Sequence, residues 1–174
     1  IRLVKSPISL SRHSMATNPD SQAAFIRDFQ DQVFSYYHEH KRDLAWRDVD
    51  SEGIINPYHV VVSELMLQQT QVQRVQSKFE EFIATFADFK TLAEASTSDV
   101  LRVWSGLGYN RRAKYLHDFA RAIVDSDFPN TVDQLSSHKG VGKNTAAAIL
   151  VYAFDKREVF VETNIRTVYL NHFF

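Results

Sequence analysis

The sequence predicts an all-α protein, on three observations. Its 174 residues include only five Gly and four Pro, the residues that most disfavour helix interiors. Its thirteen Phe, with other large apolar residues, recur at helical spacing. Few runs alternate polar with apolar residues, as a half-buried strand would. Hydrophobic residues make up 44% and charged residues 24%, an ordinary globular balance for one domain or a compact two-lobed one.

The elements follow in order. Up to Asn18 the chain holds Arg2, Lys5 and Arg12 with several Ser and no acid. That composition suits either a transit peptide or translated upstream sequence with Met15 as the start, and the second is the expectation. Ser21 is placed to cap a helix running to about Lys41, with Phe25, Ile26, Phe29, Val33 and Tyr36 on one face. Arg42-Asp43-Leu44-Ala45-Trp46-Arg47 and a polar loop containing Gly53 come next. Asn56 and Pro57 open a second helix, as cap and first helical residue. Thr70 is expected to cap a third, to about Phe86, with a stripe of Val72, Val75, Phe79, Phe82 and Phe86. Short helices are expected at 89–95 and, behind the capping box of Ser96 and Asp99, at 97–104. Gly106-Leu107-Gly108-Tyr109 makes a tight turn with an aromatic tip. Asn110 is placed to cap a helix that opens Arg111-Arg112-Ala113-Lys114 and is ended by Phe128-Pro129. Three cations in a first turn oppose the helix dipole, a cost that a docked anion would offset; the alternative is three solvated charges. Thr131 and Gln134 form another capping box. Gly140-Val141-Gly142-Lys143-Asn144-Thr145 then runs into Ala146-Ala147-Ala148, a hairpin between two closely packed helices. Val159-Phe160-Val161 precedes Glu162, and Thr163 is expected to cap a last helix over 164–174. Its aromatic end, His172-Phe173-Phe174, leads to the expectation that the chain is a fragment or needs further chain to close its core.

Charge and composition exclude several classes. Net charge is −1, but residues 101–174 hold 10 Lys and Arg against 7 Asp and Glu, while residues 1–100 hold 10 against 14. A basic C-terminal half suits a polyanion, weakly. There is no cysteine, so no disulfide, thiolate zinc site or iron–sulfur cluster is held by this chain. No apolar run approaches the roughly 20 residues needed to span a bilayer. The hairpin lacks the Gly-Lys-Ser/Thr run of a nucleotide P-loop, so ATP is not its ligand.

Chemistry concentrates in two carboxyls. Glu64 lies among Val62, Leu65 and Met66, with no Lys or Arg three or four residues away, so desolvation is expected to keep it protonated. The bland alternative is a solvated helix residue. Gln68 and Gln69 follow, neutral donors and acceptors at a surface. Glu162, at a helix start, is expected to stay ionised. An acid and a carboxylate with opposite shifts suit glycosidic-bond cleavage. The hairpin offers backbone N–H groups as a phosphate seat, and Tyr109 an aromatic tip. A nucleic-acid glycoside fits this set.

Ser-Glu-Leu-Met-Leu-Gln-Gln-Thr-Gln-Val (63–72), Trp-Ser-Gly-Leu-Gly-Tyr (104–109) and Gly-Val-Gly-Lys-Asn-Thr-Ala (140–146) resemble, in order and spacing, the MutY adenine DNA glycosylases. These belong to the helix-hairpin-helix superfamily that includes endonuclease III. The resemblance runs from about Trp46 to Val168. It implies a six-helix barrel packed with a second, here partial, helical lobe. The expected division is a disordered or non-native segment at 1–20, read from its composition, then the N-terminal helix and loop of the second lobe at 21–54 and the barrel domain at 55–174. It implies a flipped target base, Glu64 as the acid that protonates adenine, and Glu162 in place of the family's catalytic Asp, with Asn164 nearby. Gln69 and Tyr109 match residues that wedge into the base stack, with Gln68 and Thr70 beside them. Arg111 and Arg112 are candidate phosphate ligands. Gly140, Val141, Gly142, Lys143, Asn144 and Thr145 match the hairpin that seats a DNA phosphate, with a monovalent cation at 138–144. The partner implied is double-stranded DNA with a mismatch or oxidised base, bound by a monomer, in the nucleoid of a bacterium or the nucleus or mitochondrion of a eukaryote.

The departures shape the expectation. Glu162 adds a methylene to the catalytic Asp, and ~1 Å of misplacement can cost about a hundredfold in rate. Asn144 stands where endonuclease III-like members carry a Schiff-base Lys, so base removal without strand cleavage is expected. His138-Lys139 replaces the family's Leu-Pro, and Asn110 its second Tyr. The family's four cluster-binding Cys and its 8-oxoguanine-reading domain would lie beyond residue 174. Adenine opposite guanine or 8-oxoguanine is the expected target. Thymine or uracil opposite guanine, or binding to distorted DNA without cleavage, are the alternatives.

Overall fold

A computed structural model describes residues 19–173, so the N-terminal expectations for residues 1–18 lie outside the described residues. The described chain is all-α, with one isolated bridge between Val49 and Ile55 and no strand among the described residues. Its contacts form two units. Leu44–Phe160 is one; the described residues of the other fall in 19–43 and 161–173. This boundary differs from the expected one, which put 44–54 with the N-terminal helix and 161–174 with the barrel.

The larger unit is built around α2, Pro57–Leu67. Asn56 caps it, accepting from the Tyr58 N–H at 2.9 Å, and Pro57 takes the first helical position. Val60, Val61, Val62, Leu65 and Met66 are all fully buried, each contributing about 1.5–3 kcal/mol. A helix apolar on nearly every side needs neighbours all round. They are α3 (Val72–Thr85), α6 (Arg111–Ile123) and α8 (Lys143–Phe154). The predicted α3 stripe is seen, with Val75, Phe79, Phe82 and Phe86 buried. On α6, Leu116, Phe119, Ala120 and Ile123 face inward as expected.

Three short helices complete the shell. α4 is Phe89–Glu94, α5 Thr97–Trp104 and α7 Val132–Ser136. Ser96 and Thr131 accept from the N–H groups of Asp99 and Gln134, the capping boxes read from sequence. Two predicted caps are corrected. α3 starts at Val72, behind Gln71, and Thr70 is occupied elsewhere. Asn110 sits in helical geometry and makes no side-chain cap bond. α6 also ends at Ile123, five residues before Phe128.

In the smaller unit α1 (Pro19–His40) runs through Ser21, which therefore does not cap it. Phe25 and Phe29 meet Phe173 of α9 (Thr163–Phe173) edge-on, with ring centroids 5.4 and 5.0 Å apart. Ile26, Val33 and Tyr36 of the same predicted face are exposed.

Candidate functional site

Glu64 is the one acidic residue on α2, its side chain only 12% exposed. Its Oε1 accepts from Arg47 Nη2 at 3.3 Å. Arg47 ends a single 3-10 turn, Ala45–Arg47, pinned by Trp46, which is fully buried and packs edge-on against Phe79. The Arg47 guanidinium also lies over the Tyr152 ring of α8, 3.1 Å from its centroid. No Lys or Arg lies three or four residues from Glu64, as the sequence shows, yet the fold brings a guanidinium to it. The cation comes from 17 residues upstream, outside the three-to-four-residue window in which helix neighbours are sought.

Beyond α2 the chain turns through Gln68, Gln69 and Thr70. Gln69 is exposed and left-handed, at φ 57. Gln68 points back into the protein: its Nε2 donates to Gly140 O at 3.0 Å and lies 3.4 Å from Thr145 Oγ1. Thr70 Oγ1 accepts from Arg112 Nη2 at 3.0 Å. Tyr109, at the tip of the Gly106–Gly108 turn, is 64% exposed and also left-handed, at φ 48.

Arg112 overturns the phosphate-ligand expectation. It is 7% exposed. Nη1 lies within hydrogen-bond distance of the Leu65, Met66 and Gln68 carbonyls, and Nη2 of the Leu107 and Gly108 carbonyls. The anion that would offset a cation at the start of α6 is thus the carbonyl-rich C-terminus of α2, where a cation is favoured. Burial holds the guanidinium below its usual pKa, with Tyr109 acting in the opposite sense. Arg111 is exposed; Lys114 pairs with Asp118 at 2.9 Å.

The hairpin between α7 and α8 is closed by a bond from Val141 N to His138 O. Gly140 is at φ 87, and a Cβ there would lie 2.5 Å from Tyr115 Cδ2. Gly142 takes the cap position of α8, and Lys143 and Asn144 are exposed at its first turn. Val141 is buried and Thr145 half-buried. Hairpin carbonyls are the donors a monovalent cation takes. Two of them, His138 O and Gly140 O, already accept from Val141 N and Gln68 Nε2, each keeping one lone pair for an ion. With no cysteine, the chain's own residues do not fit a thiolate-held iron–sulfur cluster.

Glu162 and Asn164 belong to the smaller unit, both exposed. Glu162, rather than Thr163, stands at the cap position of α9: its carbonyl accepts from Arg166 N at 2.9 Å. No motif or periodicity in the sequence assigns a role to Arg47, Tyr115 or Tyr152. Arg47 carried the one available signal, a cation directly after an aromatic anchor.

A sequence profile described as HhH-GPD superfamily base excision DNA repair protein matches residues 62–174. The chain is 38% identical over 139 residues to an adenine DNA glycosylase of Mycobacterium tuberculosis, covering 78% of this chain and 44% of that protein. It is 37% identical over 155 residues to one of Mus musculus, covering 85% and 30%. The chain therefore spans less than half the length of these relatives. Among solved structures, a thermostable thymine-DNA glycosylase superposes with a TM-score of 0.72 at 24% identity, covering 82% of this chain and 65% of that one. A non-covalent endonuclease III–DNA complex gives 0.68 at 18%, covering 83% and 65%. These likenesses establish the helix-hairpin-helix glycosylase fold.

Proposed function

Because the chain belongs to the HhH-GPD superfamily of base excision DNA repair proteins, we propose that it is the catalytic part of a monofunctional DNA glycosylase. Its target is adenine mispaired with guanine or 8-oxoguanine. The observation that carries this reading is Glu64: a mostly buried carboxyl on the central helix, oriented by Arg47, four residues before a strained polar turn. The 38% and 37% overall identity to adenine DNA glycosylases supports the choice of base.

In this reading the adenine leaves its stack, at a cost of a few kcal/mol. Glu64 gives its proton to the departing base as the C1′–N9 bond breaks. Glu162 takes the second carboxylate role and stabilises the oxocarbenium-like sugar. Water then adds to C1′ and loses a proton, leaving free adenine and an abasic site. Position 144 offers an amide rather than an amine, so no Schiff base forms and the strand is not cut. Double-stranded DNA is the partner, gripped by the exposed Arg111 and Lys143 and by the hairpin N–H groups.

The test is a panel of labelled duplexes carrying A·8-oxoguanine, A·G, G·T, G·U and fully paired sites, each treated with hot alkali after incubation. Alkali-dependent cleavage confined to the adenine mispairs supports the proposal. Cleavage at G·T or G·U instead moves the activity to another base. Mismatch binding with no alkali-labile product at any site replaces catalysis with recognition of distorted DNA.

A further inference from the structure

Three non-glycine residues in the larger unit hold left-handed backbones: Asp155 is the C-cap of α8, while Gln69 and Tyr109 sit on two exposed turns that meet at one buried side chain. Such conformations cost of order 1–3 kcal/mol each and persist only where the surroundings over-determine them. Here the surroundings are Arg112. Gln68 O and Thr70 Oγ1, the acceptors on either side of Gln69, both take N–H bonds from its guanidinium. Gly108 O, just before Tyr109, takes another at 3.2 Å, and Tyr109 O accepts from the Arg112 backbone N–H at 2.9 Å. The guanidinium carbon lies 5.3 Å from the Tyr109 ring centroid and 5.6 Å from that of Trp104. Gln68 extends the link to the hairpin through Gly140 O.

We infer that Arg112 is a positioning residue: one planar guanidinium cross-links the 68–70 and 107–109 turns, so that Gln69 and Tyr109 are presented to the duplex together and already in register. This rests on the glycosylase reading, in which those two residues enter the base stack. Arg112 touches neither substrate nor reacting atoms, and its charge neutralises α2's carbonyl end rather than a phosphate. Lysine cannot replace it. An ammonium is a compact point of charge, whereas the guanidinium fork reaches both turns at once.

The test compares the parent with Arg112→Lys, and with Thr70→Val, which removes one acceptor and leaves the cation. Hydrogen exchange of the free proteins is followed at 67–71 and 105–110. Stack opening is followed by the fluorescence of a 2-aminopurine placed beside an A·8-oxoguanine pair. For Arg112→Lys, exchange at those two segments rises at least tenfold while α2, α3 and α8 stay protected. Its fluorescence rise on binding falls about tenfold, and its affinity for undamaged duplex and the salt slope stay as in the parent. Thr70→Val shows the same pattern at a few-fold. Uniformly faster exchange in Arg112→Lys, or an unaltered fluorescence rise, overturns the inference. So does a salt slope lowered by one ion, which would make Arg112 a phosphate ligand. If Arg112→Lys does not fold, Thr70→Val decides alone: exchange unchanged at both segments overturns the inference. Base release by the parent is scored separately, so a failed glycosylase reading leaves its own signature, a parent without activity.

Discussion

Replacing Gly140 by Ala tests how closely the hairpin is backed. The backbone there is at φ 87, and a Cβ would meet Tyr115 Cδ2 at 2.5 Å and Tyr115 Cβ and Cγ at 2.9 Å. The left-handed geometry costs an L-residue about 1–2 kcal/mol. Overpacking against the ring adds about 1–3 kcal/mol, because Tyr115 is carried on α6 and cannot recede without moving it. The sum, roughly 2–5 kcal/mol, lowers Tm by about 4–20 °C for a chain of this size. The assay is thermal unfolding by circular dichroism of the parent, Gly140→Ala, Tyr115→Ala and the double variant. Trimming Tyr115 removes the ring contacts and leaves the Cβ contact and the φ cost. The double variant is therefore less destabilised than the two singles combined, by about 1 kcal/mol or more. Gly140→Ala melting within about 2 °C of the parent, or strict additivity in the cycle, refutes this account of the hairpin.

Other predictions concern charge and pH. Arg111→Ala and Lys143→Ala each weaken duplex binding and lower the slope of log K against log salt by about one, measured by fluorescence anisotropy across a salt series. His117 is buried on α6 with Nδ1 3.5 Å from Thr97 Oγ1; burial, then Arg121, hold its pKa below the ordinary histidine value. The unfolded chain therefore binds more protons near that value, so the stability is present above about pH 6.5 and is lost as pH falls toward the folded pKa. Tm should drop between pH 7.5 and 5, and His117→Gln should flatten part of that drop. His59 and His138, which burial shifts the same way, contribute to the drop as well.

What could be read in the sequence was what lies within one turn of the chain. The caps at Asn56, Ser96 and Thr131 each join residues two or three apart, so side-chain type and spacing sufficed. The apolar stripes of α3 and α6 were equally local. The Arg47–Glu64 pair, 17 residues apart, depends on where Trp46 is buried, which no periodicity encodes. Arg112 shows the limit most clearly. Its cost at the start of α6 was legible and pointed to an anionic partner, but the partner is the end of α2, some 45 residues upstream, reached only through the fold. Gln68 looked like a surface amide for the same reason, and its hairpin acceptor is 72 residues away.

In the proposed reaction, base release depends on a proton from Glu64. Single-turnover release of adenine from an A·8-oxoguanine duplex tests this directly, comparing the parent with Glu64→Gln and Glu162→Asp. Glu64→Gln is expected to bind the duplex as the parent does and to release no base. Glu162→Asp, by removing the extra methylene, is expected to raise the rate, by up to about a hundredfold. Undiminished release by Glu64→Gln would contradict the account, as would no release by either the parent or Glu162→Asp.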